Sequence, residues 1–176
     1  MNLVGRVLFV PLIVAGLCSC ADSKVKGRVD DETFGKVLSA FYIEESGNYN
    51  ELKLVVANYP EACLNYSSYF HLGAEPSEPP PLKVVGIQFF VSGEIGEGTW
   101  DIVAPSETYE DQIQWVHGGF DWWDGNAWQG YDAQSGSVTL TARTESEIEG
   151  EFEMTLDNGD ELSGRFRLDP CPDTEI

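Results

Sequence analysis

From Glu147 onward the chain alternates apolar and polar residues with a period of two. Ile148, Gly150, Phe152, Met154 and Leu156 share one face; Glu147, Glu149, Glu151 and Glu153, joined by Thr155, share the other. The alternation returns with Leu162, Gly164, Phe166 and Leu168 set against Glu161, Ser163, Arg165 and Arg167. Antiparallel strands with one buried and one wet face have this period. Asn158-Gly159 is a two-residue turn signal. That turn would set Leu156 opposite Glu161, an apolar residue against a charge. Burying large apolar side chains at roughly 1.5–3 kcal/mol each outweighs a turn preference. The loop is therefore expected to hold an odd number of residues or a bulge. Matching the apolar faces predicts Leu156 opposite Leu162, Met154 opposite Gly164 and Phe152 opposite Phe166.

Upstream, short apolar runs recur between turn signals. Strands are predicted over 33–45, 51–59, 82–91, 96–103, 111–117 and 136–144, with LKVVGIQFFV the most apolar. PEACLNYSSYFHLG lacks alternation and opens on a proline suited to a first helical turn, so one short helix is predicted over 60–73. The four prolines of AEPSEPPPLK predict an extended connection. Many short strands without sustained helical periodicity predict an all-β domain, an antiparallel β-sandwich or a closed β-barrel.

The stretch FDWWDGNAWQGYDAQ packs aromatic residues around Asp124-Gly125. A turn at that dipeptide predicts a hairpin with Trp123 facing Asn126 and Trp122 facing Ala127. Phe120, Trp122, Ala127 and Gln129 then share one face; Asp121, Trp123, Asn126 and Trp128 share the other. The expectation is that Phe120 and Trp122 enter the core while Trp123 and Trp128 stand at its rim. Exposed indoles beside Asp121 and Asn126, with His117 at the entrance, would form a glycan platform. Covered indoles would make a satellite core, since tryptophan buries well in strands.

The amino terminus sets the compartment. Arg6 is followed by a short apolar run, Val7 to Leu17, broken by Pro11. Such a run is shorter than the roughly twenty residues a membrane span needs and matches a signal-peptide core. Leu17-Cys18-Ser19-Cys20 matches the bacterial lipobox, with Cys20 the lipidated residue; an ordinary secretory signal is the competing reading. The expected organisation is a lipoprotein signal over 1–19, a flexible tether over 20–32 and one all-β domain over 33–176. Export leaves Cys63 and Cys171, an even pair that predicts a disulfide; two buried thiols are the other possibility. Beyond residue 19 the chain carries 9 Lys+Arg against 30 Asp+Glu, a net charge of −21. That charge repels nucleic acid and excludes it as a partner.

The region SGSVTLT, IEGEFEMTLDNGDELSGRF and the closing Cys171-Pro172 resembles a pattern in uncharacterised exported β-rich bacterial proteins, notably lipoproteins of the myxobacterial type. The resemblance implies an all-β exported domain and brings no catalytic residue with it. None is evident otherwise. No serine lies in a Gly-x-Ser-x-Gly elbow. Asp121, Asp124, Asn126 and Asp132 fail calcium-loop spacing in either frame, and no cofactor is implied. His71 reads as a packing or surface residue. The expected protein is lipid-anchored, exported to the periplasmic face or cell surface, and non-enzymatic, with the membrane and an envelope component or glycan as partners. A carbohydrate-binding module is the alternative and a glycoside hydrolase the third reading; two facing carboxylates, one with a raised pKa, would promote the last.

Overall fold

In a computed structural model, residues 22–60, 62–63, 82–105 and 114–171 are described. They form ten strands: β1 (Lys24–Val29), β2 (Glu32–Thr33), β3 (Ser39–Ser46), β4 (Asn50–Ala57), β5 (Leu82–Val91), β6 (Gly98–Val103), β7 (Gln114–Trp123), β8 (Trp128–Arg143), β9 (Ile148–Leu156) and β10 (Glu161–Pro170). The all-β expectation holds, and the choice between sandwich and barrel is settled. β10, β3, β4, β5, β7, β8 and β9 pair in a ring that closes on itself, a seven-stranded barrel with β1, β2 and β6 added. The helix expected over 60–73 falls almost wholly outside the described residues.

Two long strands close the ring by changing neighbours along their length. The first residues of β8 pair with β7, and from Ser135 onward the same edge pairs with β6 while β9 takes the other side. Register breaks between Ala133 and Ser135, which lets the strand bend round the corner. Gly136 follows at φ 152°, and a Cβ there would lie 2.2 Å from the Glu153 carbonyl oxygen. β10 pairs with β9 along 161–168 and reaches β3 through only Asp169↔Phe41 and Pro170↔Tyr42. The Cys171 N–H donates to the Tyr42 carbonyl, and Cys171 is bonded to Cys63 with Cα atoms 5.6 Å apart. The chain-entropy model assigns about 4–5 kcal/mol to closing a loop of this size.

The inner faces of all seven strands meet in one core, which includes Leu52, Ile87, Phe89, Phe120, Val138, Ile148, Phe152 and Leu168. A second cluster lies on the outer face of β3, β4, β5 and β7: Phe41, Val55, Ala57, Val84 and Trp123, with the Cys63 and Cys171 side chains packed against it.

The expected tether is structured from Lys24. β1 pairs with β10, and Asp30-Asp31, at φ 48° and 66°, form a two-residue turn into β2. Both central residues at positive φ mark the turn type that follows strand twist, and aspartate tolerates that conformation better than most residues. The hairpin brings Val29 and then Phe34 into the core. Lys83, buried on β5, donates to the Thr33 carbonyl at 2.7 Å and pairs with Glu32 at 2.8 Å. The Lys83 ammonium holds the Glu32 carboxyl below the usual glutamate range. The domain therefore begins before Thr33, because apolar Val29 and a buried cation needing partners draw this segment in.

The β9–β10 hairpin keeps the predicted faces but pairs two residues away from the predicted register. Leu162 faces Met154, Gly164 faces Phe152 and Phe166 faces Gly150. The loop is odd, as expected: Leu156 and Asp160 close Asp157-Asn158-Gly159, with Gly159 at φ 88°. Size complementarity decided the slip. A Cβ at Gly150 would sit 2.6 Å from the Phe166 ring, and one at Gly164 would sit 2.5 Å from the Phe152 ring. Each phenylalanine lies over the glycine opposite, whereas the predicted register would have stacked the two rings in one layer. Outside, Arg165 faces Glu151 and Arg167 faces Glu149, with Arg167 also bonded to Glu147.

Gly164→Val is expected to destabilise the fold by about 1–3 kcal/mol, because it must displace both the Phe152 ring and the β1 backbone. Ser163→Val, on the outward face, should stay within about 0.5 kcal/mol. Urea denaturation of the two variants checks the contrast.

Candidate functional site

The β7–β8 hairpin forms, but its turn lies one residue later than Asp124-Gly125. Trp123 pairs with Trp128, Trp122 with Gln129 and Asp121 with Gly130. Gly125 is at φ 101° and leads the turn, while Asp124 precedes it and accepts from the Asn126 and Ala127 N–H groups at 2.8 and 2.9 Å. Glycine first in the loop matches a favoured hairpin turn, and the aspartate is used as its cap. Those two N–H donors hold the Asp124 carboxyl below its ordinary range. Asn126 is thereby committed to the turn.

The aromatic residues divide differently from the expectation. Phe120 is in the core. Trp122 is half-buried at the end of the barrel, its ring 5.8 Å from Phe120 and 5.3 Å from Tyr131. Trp123, expected at the rim, is only 6% exposed and belongs to the second apolar cluster; Trp128 packs beside it with ring centroids 5.8 Å apart. The pair is a satellite core and presents no open platform. The outer face of this hairpin is buried because the barrel carries apolar residues on both surfaces of β4 and β5.

Farther along the same outer face the character changes. Successive cross-strand rows run Lys53, Gln88, His117; then Val55, Gly86, Gly119, Asp132; then Ala57, Val84, Asp121, Gly130. Gly86 and Gly119 leave the middle row without side chains on two adjacent strands, and a Cβ at Gly86 would meet nothing within 4 Å. The result is a recess of about 330 Å³ whose polar groups come from Lys53, Gln88, His117, Asp121 and Asp132. Two of the predicted site residues, His117 and Asp121, are brought together here, while Trp123, Trp128 and Asn126 are not. Cys20 and His71 lie outside the described residues.

Burial and the neighbouring Asp132 push the Asp121 carboxyl up to about 6. Its oxygen occupies the space above Gly130, where a Cβ would be 2.2 Å away. Burial pushes the His117 imidazole down, opposed by the Val103 main chain and Asp132. At neutral pH the recess thus holds an ionised but poorly solvated Asp121 and, two rows along β7, a neutral imidazole. Such groups can accept hydroxyl or amine hydrogens, and Asp121 can also hold a proton near pH 6. Above the recess stand Tyr49, Phe90 and Trp115, with Phe90 and Trp115 stacked at 5.1 Å and Trp115 4.3 Å from His117. These rings cover one another's faces.

Gln88 and Lys53 were missed in the sequence, and Asp132 was weighed there only as a calcium ligand. The available signal was a glycine interrupting LKVVGIQFFV at Gly86, which marks a place where side chains are excluded from a strand. No family model matches the chain, and no curated protein or solved structure matches it either.

Asp121 has a raised folded-state pKa, so its contribution to stability is fully present below the unfolded value near 4 and lost as pH rises through about 6. Asp121→Asn should therefore raise stability at pH 7 by about 1–2 kcal/mol. That is less than the roughly 3 kcal/mol expected for an unscreened carboxyl, because this one is partly open to water. The gain should vanish below about pH 4, as thermal melts across pH would show. Trp123→Ala should cost about 3–5 kcal/mol at every pH, as for truncation of a buried indole.

Proposed function

We propose that this chain is an exported lipoprotein held on a bacterial membrane through Cys20, and that its barrel works there by binding an envelope or surface component. Leu17-Cys18-Ser19-Cys20 after a short apolar run supports the anchor, and the Cys63–Cys171 bond fits an oxidising compartment. The observation that carries binding is the outer recess. Two glycines hold its floor open while Gln88, His117, Asp121 and Asp132 line it. Keeping side chains off the middle of two strands that are paired on both sides weakens packing, a cost that a ligand seat explains. Its hydrogen-bonding groups suit a polar, hydroxyl-rich ligand such as a glycan.

Glycoside hydrolysis is a second reading, favoured by one observation. Asp121, pushed up to about 6, neighbours Asp132 in a recess, and separated carboxyl environments are what acid and base roles require.

The anchor is tested by mass spectrometry of the membrane fraction, which should find a diacylglyceryl group on Cys20. Cys20→Ala should release the protein from membranes, and an unmodified wild-type amino terminus would overturn the proposal. For the recess, an envelope-glycan array should show binding that Gly86→Leu abolishes by filling the floor. Sugar release from a bound glycan, lost in both Asp121→Asn and Asp132→Asn, would select hydrolysis over binding.

A further inference from the structure

We infer that the β1–β10 edge of the barrel is its membrane-facing surface, a basic strip that lies against anionic lipid headgroups. The inference rests on the lipoprotein reading above and adds to it an orientation and a lipid class.

Charge is unevenly placed. Of the nine basic residues beyond residue 19, Lys24, Lys26 and Arg28 lie on β1 and Arg165 and Arg167 on β10. Two are explained by internal partners: Arg28 bonds the Asp31 carbonyl, and Arg167 bonds Glu147 and pairs with Asp22; Arg165 stands opposite Glu151 on β9. Lys24 and Lys26 are not explained in this way. Both are exposed on the outward face of β1, Lys26 opposite Ser163 and Lys24 directly opposite Arg165. Like charges set directly across a sheet destabilise it. Lysines on an outermost strand discourage edge-to-edge aggregation, which accounts for a lysine on β1. It does not account for placing one against an arginine in a chain with 30 acidic residues. Lys24, Lys26, Arg165 and Ser163 border a shallow recess of about 500 Å³, and Glu151 and Glu153 border its other side. On this wall the cations lie on β1 and β10 and the acids on β9.

The strip is also the part of the barrel nearest the anchor. Ser23 is buried, and its Oγ donates to the Arg167 carbonyl at 3.1 Å and accepts from the Arg167 N–H at 3.0 Å. The chain is therefore locked onto β10 three residues after Cys20. Three residues reach at most about 10 Å, so lipid on Cys20 brings Lys24 and Lys26 to headgroup level. There each basic residue is attracted by an anionic bilayer surface. The remainder of the molecule, strongly acidic, is repelled by the same surface and turned away. The outer recess lies on β4, β5, β7 and β8, away from β1. A free anion is a poorer occupant, because only attachment at Cys20 holds an anion source beside the strip against a net charge of −21.

The test uses the full lipidated protein reconstituted into vesicles of phosphatidylcholine alone, or with one third phosphatidylglycerol. Amide hydrogen exchange is followed along β1 and, as an internal control, β4. Exchange of the β1 amides should slow roughly fivefold in anionic vesicles while β4 is unchanged. The slowing should disappear in about 0.5 M salt and in the Lys24→Gln, Lys26→Gln double variant, whose circular dichroism should match the wild type. Equal β1 exchange in both vesicles, or slowing retained in high salt, would overturn the inference while leaving the anchor intact. Equal slowing by inorganic phosphate in neutral vesicles would identify a soluble-anion site and also overturn it. Failure to insert into either vesicle, with no lipid mass on Cys20, would overturn both readings together.

Discussion

The structure depends on closing a ring of backbone hydrogen bonds where one seam is very short. Six of the seven barrel contacts run along strands for five residue pairs or more, while β10 meets β3 through two. An open seam would leave N–H and C=O groups of both strands without partners and expose a template for aggregation. Several independent devices reinforce it. The Cys171 N–H extends the pairing to Tyr42, and the bond to Cys63 ties the same point to the segment after β4. The Tyr42 hydroxyl donates to the Glu145 carbonyl at 3.0 Å, linking β3 to the β8–β9 turn. Beside the seam, Ser23 and β1 pair with the stretch of β10 that β3 does not reach.

Once the ring is closed, its interior admits only certain combinations of side-chain size. Cross-strand phenylalanine over glycine, twice between β9 and β10, fills the layer without a void and without a clash. The two-residue slip from the face-matched register follows from this requirement. Polarity alone cannot distinguish registers that differ by two, since each keeps the same residues inside.

Closure also has a consequence for the outer surface. β4 and β5 are apolar on both faces, so one end of their outer side is a second core that takes in Trp123, Trp128 and the disulfide. The glycine row at Gly86 and Gly119 interrupts that cover and leaves the polar recess beside it. The chemistry available there arises from desolvation, which raises Asp121 and lowers His117. The basic residues of β1 and the recess lie on separate strands.

Period-two alternation made the strands and their faces legible, because which residues are buried in a sheet follows from sequence parity. The paired cysteines, the hairpin at residues 120–131 and the odd loop before Glu161 were legible for similarly local reasons. Tertiary structure alone decided the rest. Nothing local showed that β8 and β10 would each change neighbours and convert two sheets into a barrel. Nor did it show that 24–33, polar in composition, would pair with β10 and supply Val29 and the partners of Lys83. Trp123 could be placed on a face but not assigned water or cover, since that depends on what lies across the sheet. Asp121 and His117 were visible as candidates, whereas Asp132, Gln88 and Lys53 joined them only through pairing across four strands. A strand's sequence determines which residues share its face; only the closed sheet determines what that face meets.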